Sequence, residues 1–493
     1  MNILFATSEL TPLAKTGGLG DVLAALPARL RDNGHSVSVV LPGYRAVFDS
    51  LPEVRDTGLR LTVPLGPGRA TARILEGRTR EGVKLLLVGK DEFFDRRGLY
   101  GNSEGDYTDN AHRFIFFSKV VVELAGHLRP RPEVLHLNDW QTAFAAAVVR
   151  QKRPSLRTVL TIHNLAYQGV FAPWDFDLTN LPGDWFHPGG MEFYGRLNLL
   201  KAGLVHADAL TTVSPSYATE IQTPEFGCGL EGVLRGRSQD LNGILNGIDE
   251  AAWNPATDAF LRETYGPGDW EAKKACRARL LKAVGLDAER VTGPVFACIS
   301  RLVPQKGLDL VAKVAPELAA QGGALVVLGS GLPQLEKKFL ALAAEHPESL
   351  AVEIGFNEKL AHRIEAGADF FLMPSRFEPC GLNQMYSQRY GTIPIVHRTG
   401  GLADSVEDWR PRKKSGTGIV FAPCTTAALS KAIRRAFLVY GDPVAWDLIR
   451  RRAMARDFSW SAAAKSYEQI YRRVCGLESE ASTPNNPLNT ENP

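Results

Sequence analysis

The sequence lacks any apolar run approaching the roughly 18–20 residues of a membrane span. A helical membrane anchor is therefore excluded, and no membrane partner is expected. Cysteine is scarce. Cys228, Cys276, Cys298, Cys380, Cys424 and Cys475 are scattered, and none forms a C-x-x-C pair. Neither a zinc site nor a disulfide framework follows from that spacing, and reduced thiols in a cytoplasmic protein are expected. An excess of one charge sign is also missing: 57 Lys and Arg stand against 54 Asp and Glu. That balance argues against a dedicated nucleic-acid binder, so no nucleic-acid partner is expected. The opening stretch Met1–Ala6 has no basic segment, and its apolar run stops at Thr7-Ser8-Glu9, unlike a secretory signal.

What is present suits a globular protein. Hydrophobic residues make up 44% and charged residues 23% of the 493 positions. At roughly 100–200 residues per domain, that length gives two to four domains. The chain opens with an apolar run, Ile3–Thr7, then a Gly-rich turn, Lys15–Asp21. Val22, Leu23, Leu26 and Leu30 follow at helical spacing up to Gly34, and Ser36–Leu41 is a second apolar run. Strand, loop, helix and strand make a βαβ unit, the seed of a parallel sheet. Val83–Val88, Val134–Leu137, Arg157–Ile162 and Ala207–Val213 continue the series. A second series begins at Val295–Ser300 and runs through Ala324–Leu328, Leu350–Ile354, Phe370–Met373 and Thr392–Val396. These runs do not alternate with polar residues, so each sheet is expected to be covered on both faces. Asn242-Gly243 and Asn246-Gly247 mark turns between the two series and place a domain boundary there. The segment 478–493, rich in Ser, Thr, Asn and Pro, reads as a disordered tail.

In doubly wound sheets, ligands sit at the carboxyl ends of the strands, so the loops after these runs are where chemistry is expected. Lys15–Asp21 puts a lysine and three glycines before a helix, an arrangement suited to an anion or to an ordinary tight turn. It is neither a G-x-G-x-x-G fingerprint nor a P-loop. Ser300–Gly307 brings Arg301 and Lys306 to one strand end, where two cations can neutralise a leaving diphosphate without a metal. No cluster with metal-ligand spacing stands out, and no cofactor is expected. Glu378, just past the run Phe370–Met373, can accept sugar hydroxyls or stabilise an oxocarbenium-like centre. Nothing local marks the adjacent Cys380 as an activated thiolate. Thr399-Gly400-Gly401-Leu402 is a second glycine pair opening a helix. Asp139 and His163 end strands in the first half, where a histidine is either a hydrogen-bonding partner for substrate or a satisfied structural residue.

Lys15–Val22, Thr161–Asn164, Val213–Tyr217, Asn246–Asp249, Ser300-Arg301-Leu302, Gln305-Lys306-Gly307, Ser375–Leu382 and Arg398–Asp404 together resemble the bacterial glycogen synthases and plant starch synthases, from residue 1 to about 475. The resemblance implies an α/β protein of the GT-B fold: two Rossmann-like doubly wound domains facing across a deep cleft. Residues 1–243 form the first, completed by a returning helix over 458–475, and 247–456 the second. It also implies retaining transfer of glucose from an ADP-glucose donor to a glycogen or other α-1,4-glucan acceptor. Lys15 and the backbone of Gly17 and Gly18 would then meet the donor phosphates, with Asp21 orienting Lys15 or the loop. Arg301 and Lys306 would neutralise the departing diphosphate. Glu378 would contact the glucosyl ring, and His163 would hydrogen-bond near the reacting sugar. Asp139 and Asn246 are implied sugar or acceptor contacts. Gly400, Gly401 and Leu402 would hold the distal phosphate through backbone N–H groups. Cys380, Gly381, Leu382, Tyr386 and Thr399 complete the implied substrate contacts.

The chain departs from the family at Asn383 and Met385, where Thr and Leu are usual. Related two-domain transferases often carry a second Glu where Tyr386 stands. A UDP-glucose transferase, a non-catalytic glucan-binding protein and a bilobal solute-binding protein are the competing readings. The oligomeric state is left open by the sequence.

Overall fold

The computed structural model describes residues 1–51 and 53–477; the tail expected over 478–493 lies outside the described residues. The chain divides into two units. One comprises Met1–Thr211, Gly227–Asn242 and the stretch from Ala463; the other comprises Thr212–Phe226 and Gly243–Ala462.

In the first unit the parallel strands are the short apolar runs. They are β1 (Asn2–Ala6), β2 (Ser36–Pro42), β5 (Lys84–Gly89), β8 (Val134–Asn138), β9 (Arg157–Ile162) and β13 (Ala209–Thr212). β3 (Arg55–Leu65) and β4 (Gly68–Arg78) form an antiparallel hairpin that joins β5 antiparallel. With β14 (Leu241–Gly243), the nine-stranded order is β14-β13-β9-β8-β1-β2-β5-β4-β3. The strand order reverses between β1 and β8, so the loops after those two strands diverge. β6 (Gly101–Asn102) and β7 (Gly105–Asp106) pair as a small hairpin, and β10 (Val170–Phe171), β11 (Glu192–Phe193) and β12 (Arg196–Asn198) form a three-stranded ribbon.

The hairpin β3–β4 departs from the all-parallel expectation. Its residues alternate charged or polar with apolar, as in Arg60, Thr62 and Thr71 against Leu61, Val63 and Ala72. Such alternation suits an edge that is wet on one face. From Ala463 the chain packs onto the first unit. Tyr467 and Tyr471 are fully buried, and the Tyr471 hydroxyl shares a 2.6 Å hydrogen bond with His136 Nδ1. His136 Nε2 meets Thr161 Oγ1 at 2.6 Å, so this histidine is a satisfied core residue.

The second unit is a six-stranded parallel sheet, β17-β16-β15-β18-β19-β20. Its strands are β15 (Val295–Ile299), β16 (Ala324–Gly329), β17 (Leu350–Ile354), β18 (Phe370–Met373), β19 (Ile393–His397) and β20 (Ile419–Phe421). Successive side chains point to opposite faces, and both faces are dry. Phe296, Cys298, Leu325, Val327, Phe370 and Leu372 pack under the helices Leu308–Ala320 and Thr426–Tyr440. Val295, Ala297, Val326 and Phe371 pack on the other face with Leu280, Leu281 and Ile364 of the helices Trp270–Ala283 and Glu358–Gly367. The order reverses between β15 and β18, the strands whose following loops carry Lys306 and Glu378.

Candidate active site

The centre of the second unit's strand-end loops is an ion pair. Lys306 Nζ lies 2.8 and 2.6 Å from the two Glu378 oxygens. Ser375 Oγ donates to Glu378 Oε2 at 2.8 Å. The Glu378 side chain is 6% exposed and that of Lys306 20%, so the carboxylate is dry and the ammonium reaches solvent. Gln305 Nε2 donates to Phe377 O at 3.2 Å and ties the lysine-bearing loop to the glutamate-bearing turn. Arg301 is exposed at the end of β15 and has no ion pair among the described residues. The dry carboxylate is matched by Lys306, and the loop that carries Lys306 holds a second cation, Arg301, that is unpaired among the described residues.

The backbone around this pair is closely fitted. Gly400 has φ +41, and a Cβ there would stand 2.1 Å from Glu378 O. A Cβ on Gly401 would stand 2.1 Å from Cys380 O. Glycine is required here so that the start of the helix Gly400–Ser405 can lie against the Glu378–Gly381 turn. The N–H groups of the second glycine pair are already committed. Gly400 N donates to Glu220 Oε1 at 2.8 Å, Gly401 N to Glu378 O at 3.0 Å and Leu402 N to Thr399 O at 3.1 Å. Thr399 Oγ1 also donates to Glu220 Oε1, at 3.0 Å. Burial raises the Glu220 carboxyl above its ordinary range, and its Oε2 is buried without a partner among the described residues. By contrast, the amides of Gly381 (φ +71) and Leu382 donate to no acceptor among the described residues.

Asn246, Cys380, Tyr386 and Asn383 lie in the same unit as the pair. Asn246 is 7% exposed, and its Oδ1 is buried without a partner among the described residues. It lies beside the Cys380 thiol, which burial raises to about 12, so that sulfur stays protonated and unreactive. Tyr386 is packed away, its ring stacked on Trp253 at 4.1 Å, with His362 at 3.8 Å on the indole's other face. Asn383, one of the departures from the family pattern, spends its amide on Ile299 O at 2.9 Å. Phe356 is a candidate that sequence reasoning missed. It is 87% exposed just past β17, and its only sequence signal is a bare aromatic after a strand.

The first unit carries its own cluster at the ends of the neighbouring strands β1, β8 and β9. Lys15 Nζ contacts both Asp21 oxygens at 2.7 and 2.9 Å, and Thr11 Oγ1 donates to Asp21 Oδ1 at 2.9 Å. The backbone expected to face an anion is occupied from within. Glu9 Oε2 accepts from Thr16 N at 2.8 Å and Gly17 N at 3.1 Å, while a Cβ on Gly18 would meet open space. Sequence reasoning passed over Glu9, because an acid closing an apolar run looks like a strand terminator.

Asp139 holds φ +55 and ψ −175, a strained conformation for a non-glycine residue that costs about 1–3 kcal/mol. The strain is held by bonds on every side. Asp139 N donates to Thr161 O, its carbonyl caps the helix Trp140–Lys152, and its Oδ1 accepts from His163 N at 2.7 Å. Burial raises its carboxyl to about 7. His163 is kept neutral by burial, which lowers it to about 3. Asn138 Nδ2 donates to Ala6 O at 3.1 Å, so its Oδ1 faces His163 Nε2 at 3.0 Å. An oxygen there accepts, so Nε2 carries the proton and Nδ1 is left as an acceptor. Asn138 is thus a positioning residue that sequence reasoning missed.

Among the described residues no group of three or more His, Cys, Asp or Glu is placed to hold a metal ion, and no helix is long and apolar enough to cross a membrane. Two Rossmann-like sheets with strand-end clusters of this kind define a glycosyltransferase of the GT-B fold. Residues 2–236 match the family described as "Starch synthase catalytic domain", and residues 287–444 match "Glycosyl transferases group 1". Curated glycogen synthases from Opitutus terrae and an Anaeromyxobacter species are 45% and 49% identical, each over 96% of this chain and 99% of the relative. The solved catalytic domain of Starch Synthase IV from Arabidopsis thaliana, bound to ADP and acarbose, is 33% identical with a TM-score of 0.88, covering 96% of this chain and 99% of that one. A sucrose-phosphate synthase from Thermosynechococcus elongatus, 16% identical with a TM-score of 0.58 over 97% of this chain and 100% of that one, shares the fold alone. The chain belongs to the glycogen synthase family.

Proposed function

We propose that this protein is a cytoplasmic glycogen synthase that transfers glucose from ADP-glucose to the non-reducing end of an α-1,4-glucan, with retention and release of ADP. The observation that carries the reading is the Lys306–Glu378 pair at the point where the strand order reverses, with Arg301 unpaired in the same loop. In this reading the donor diphosphate takes its charge neutralisation from Arg301 and Lys306. The unclaimed amides of Gly381 and Leu382 receive phosphate oxygens. Gly400, Gly401 and Leu402 then act by fitting closely against the Glu378 turn, since their own N–H groups are spent inside the fold. Phe356 offers a flat apolar face for the nucleobase, and Asn246 Oδ1 an acceptor for a sugar hydroxyl.

Breaking the bond from glucosyl C1 to the diphosphate oxygen leaves positive charge on the ring, which the Glu378 carboxylate stabilises. The acceptor's 4-hydroxyl oxygen bonds to C1, and its proton leaves with ADP. His163, neutral and with Nδ1 free to accept, orients a sugar hydroxyl; Asp139 holds its backbone. Lys15, steadied by Asp21, contributes a further cation to the donor. Support for adenine comes from the Arabidopsis relative, which was solved with ADP.

The test is transfer to glycogen from ADP-glucose and from UDP-glucose, in chelator. Transfer from ADP-glucose at the higher kcat/KM is expected. Preference for UDP-glucose would overturn the donor assignment, and glucan binding without transfer would overturn the enzyme reading.

A further inference from the structure

Away from the strand ends, the second unit holds a pocket of about 390 Å³ between the helices Trp270–Ala283 and Glu358–Gly367. Its floor is apolar, made by Phe260, Leu261 and Cys276, and its walls carry Arg262, Arg279, Lys282 and Arg363. Glu263 pairs with Arg279. Among the described residues, Arg262, Lys282 and Arg363 have no ion pair, although Arg363 is half-buried. Arg262 also feels the Glu263 carboxylate, so four lining cations share one acid, and an anion placed among them offsets the remaining repulsion.

The pocket is preformed, because its two walls are pinned to each other from beneath. Lys273, on the first helix, donates from Nζ to Ala366 O of the second at 3.0 Å and to Thr392 Oγ1 at 2.8 Å. Thr392 Oγ1 in turn donates to Glu365 O at 2.6 Å. A rigid concave site with an apolar floor and a few convergent charges is the usual form of a small-molecule site.

We propose that this pocket binds a small phosphate monoester, whose dianion the arginine forks and Lys282 grip and whose organic part lies on Phe260, Leu261 and Cys276. Guanidinium groups match phosphate oxygens two at a time, and the lysine adds a compact charge. A free phosphate satisfies the walls but not the floor, so the ester is the better ligand.

Phenyl phosphate is the probe, because it joins a dianion to a flat apolar ring. It is titrated calorimetrically into the full chain with saturating ADP present, so that the proposed donor site is already filled. Inorganic phosphate and phenol are titrated in parallel. Saturable one-to-one binding of phenyl phosphate, tighter than that of either control, is expected. Arg363→Met and Lys282→Met should each weaken it about tenfold, as expected for one charge-assisted hydrogen bond, with thermal unfolding unchanged. Arg262→Met supplies a third variant should one of these fail to fold. Absence of saturable binding would overturn the proposal. So would unchanged affinity in the folded variants, or inorganic phosphate binding as tightly as the ester.

Discussion

Replacing Lys306 with methionine separates the electrostatic role of the central pair from its bulk. In the parent, Glu378 receives two contacts from Lys306, at 2.8 and 2.6 Å, and one hydrogen bond from Ser375 at 2.8 Å. Lys306→Met leaves a carboxylate that is 6% exposed with the serine alone. Removing one partner of a buried pair costs about 3–5 kcal/mol, and the partial exposure of Lys306 sets the expectation at the lower end, about 3 kcal/mol. At roughly 2–4 °C per kcal/mol, the second unit should melt about 6–12 °C lower. The reverse change, Glu378→Leu, should cost less, because the lysine retains a route to water. The double variant should recover most of the loss, since two apolar side chains leave no stranded charge. Thermal and urea unfolding of all four proteins, followed by tryptophan fluorescence, gives the cycle. Lys306→Met within about 0.5 kcal/mol of the parent would refute the reasoning, because ordinary surface changes fall in that range. A double variant no more stable than Lys306→Met would refute it equally.

Asp139→Asn tests the buried acid of the first unit. Burial lifts its carboxyl from the ordinary 3.8 to about 7, so the native state binds the proton more tightly than the unfolded chain. Its contribution to stability is full below about pH 4 and is lost as the pH rises through about 7. The asparagine keeps an acceptor for His163 N–H without titrating, so its unfolding free energy should fall less than the parent's between about pH 5 and about pH 8. Parallel pH profiles in denaturant titrations would contradict this. Gly401→Ala should destabilise the second unit by about 2–3 kcal/mol and depress transfer, because the new methyl meets backbone atoms that cannot swing away. Unchanged melting and unchanged turnover would show that the close fit described for this turn is unimportant.

The strands that proved easiest to read are those buried on both faces. Val295–Ile299 and Phe370–Met373 are nearly continuous apolar runs, and length alone marks them as strands. The hairpin Arg55–Leu65 and Gly68–Arg78 escaped because its outer face is arginine, threonine and glutamate, which read as loop. The helices Trp270–Ala283 and Glu358–Gly367 escaped because their buried faces include Lys273 and Glu365, charges that a hydrophobic pattern assigns to solvent. Of the site, the residue types after each strand were legible. Their partners were not. The sequence separates Lys306 from Glu378 by 72 positions and Glu220 from Gly400 by 180, so the closing of these contacts is a property of strand order. That internal carboxylates fill the amides at Gly17 and Gly400 follows from the same geometry, and a motif cannot express it.

Labelled glucose incorporation into glycogen from ADP-glucose, measured in chelator for the parent and for Glu378→Ala, bears most directly on the central claim. The parent should give α-1,4-linked incorporation with stoichiometric ADP release, and a folded Glu378→Ala should lose orders of magnitude in kcat/KM. No incorporation by the parent, or near-parental turnover by the variant, would contradict it.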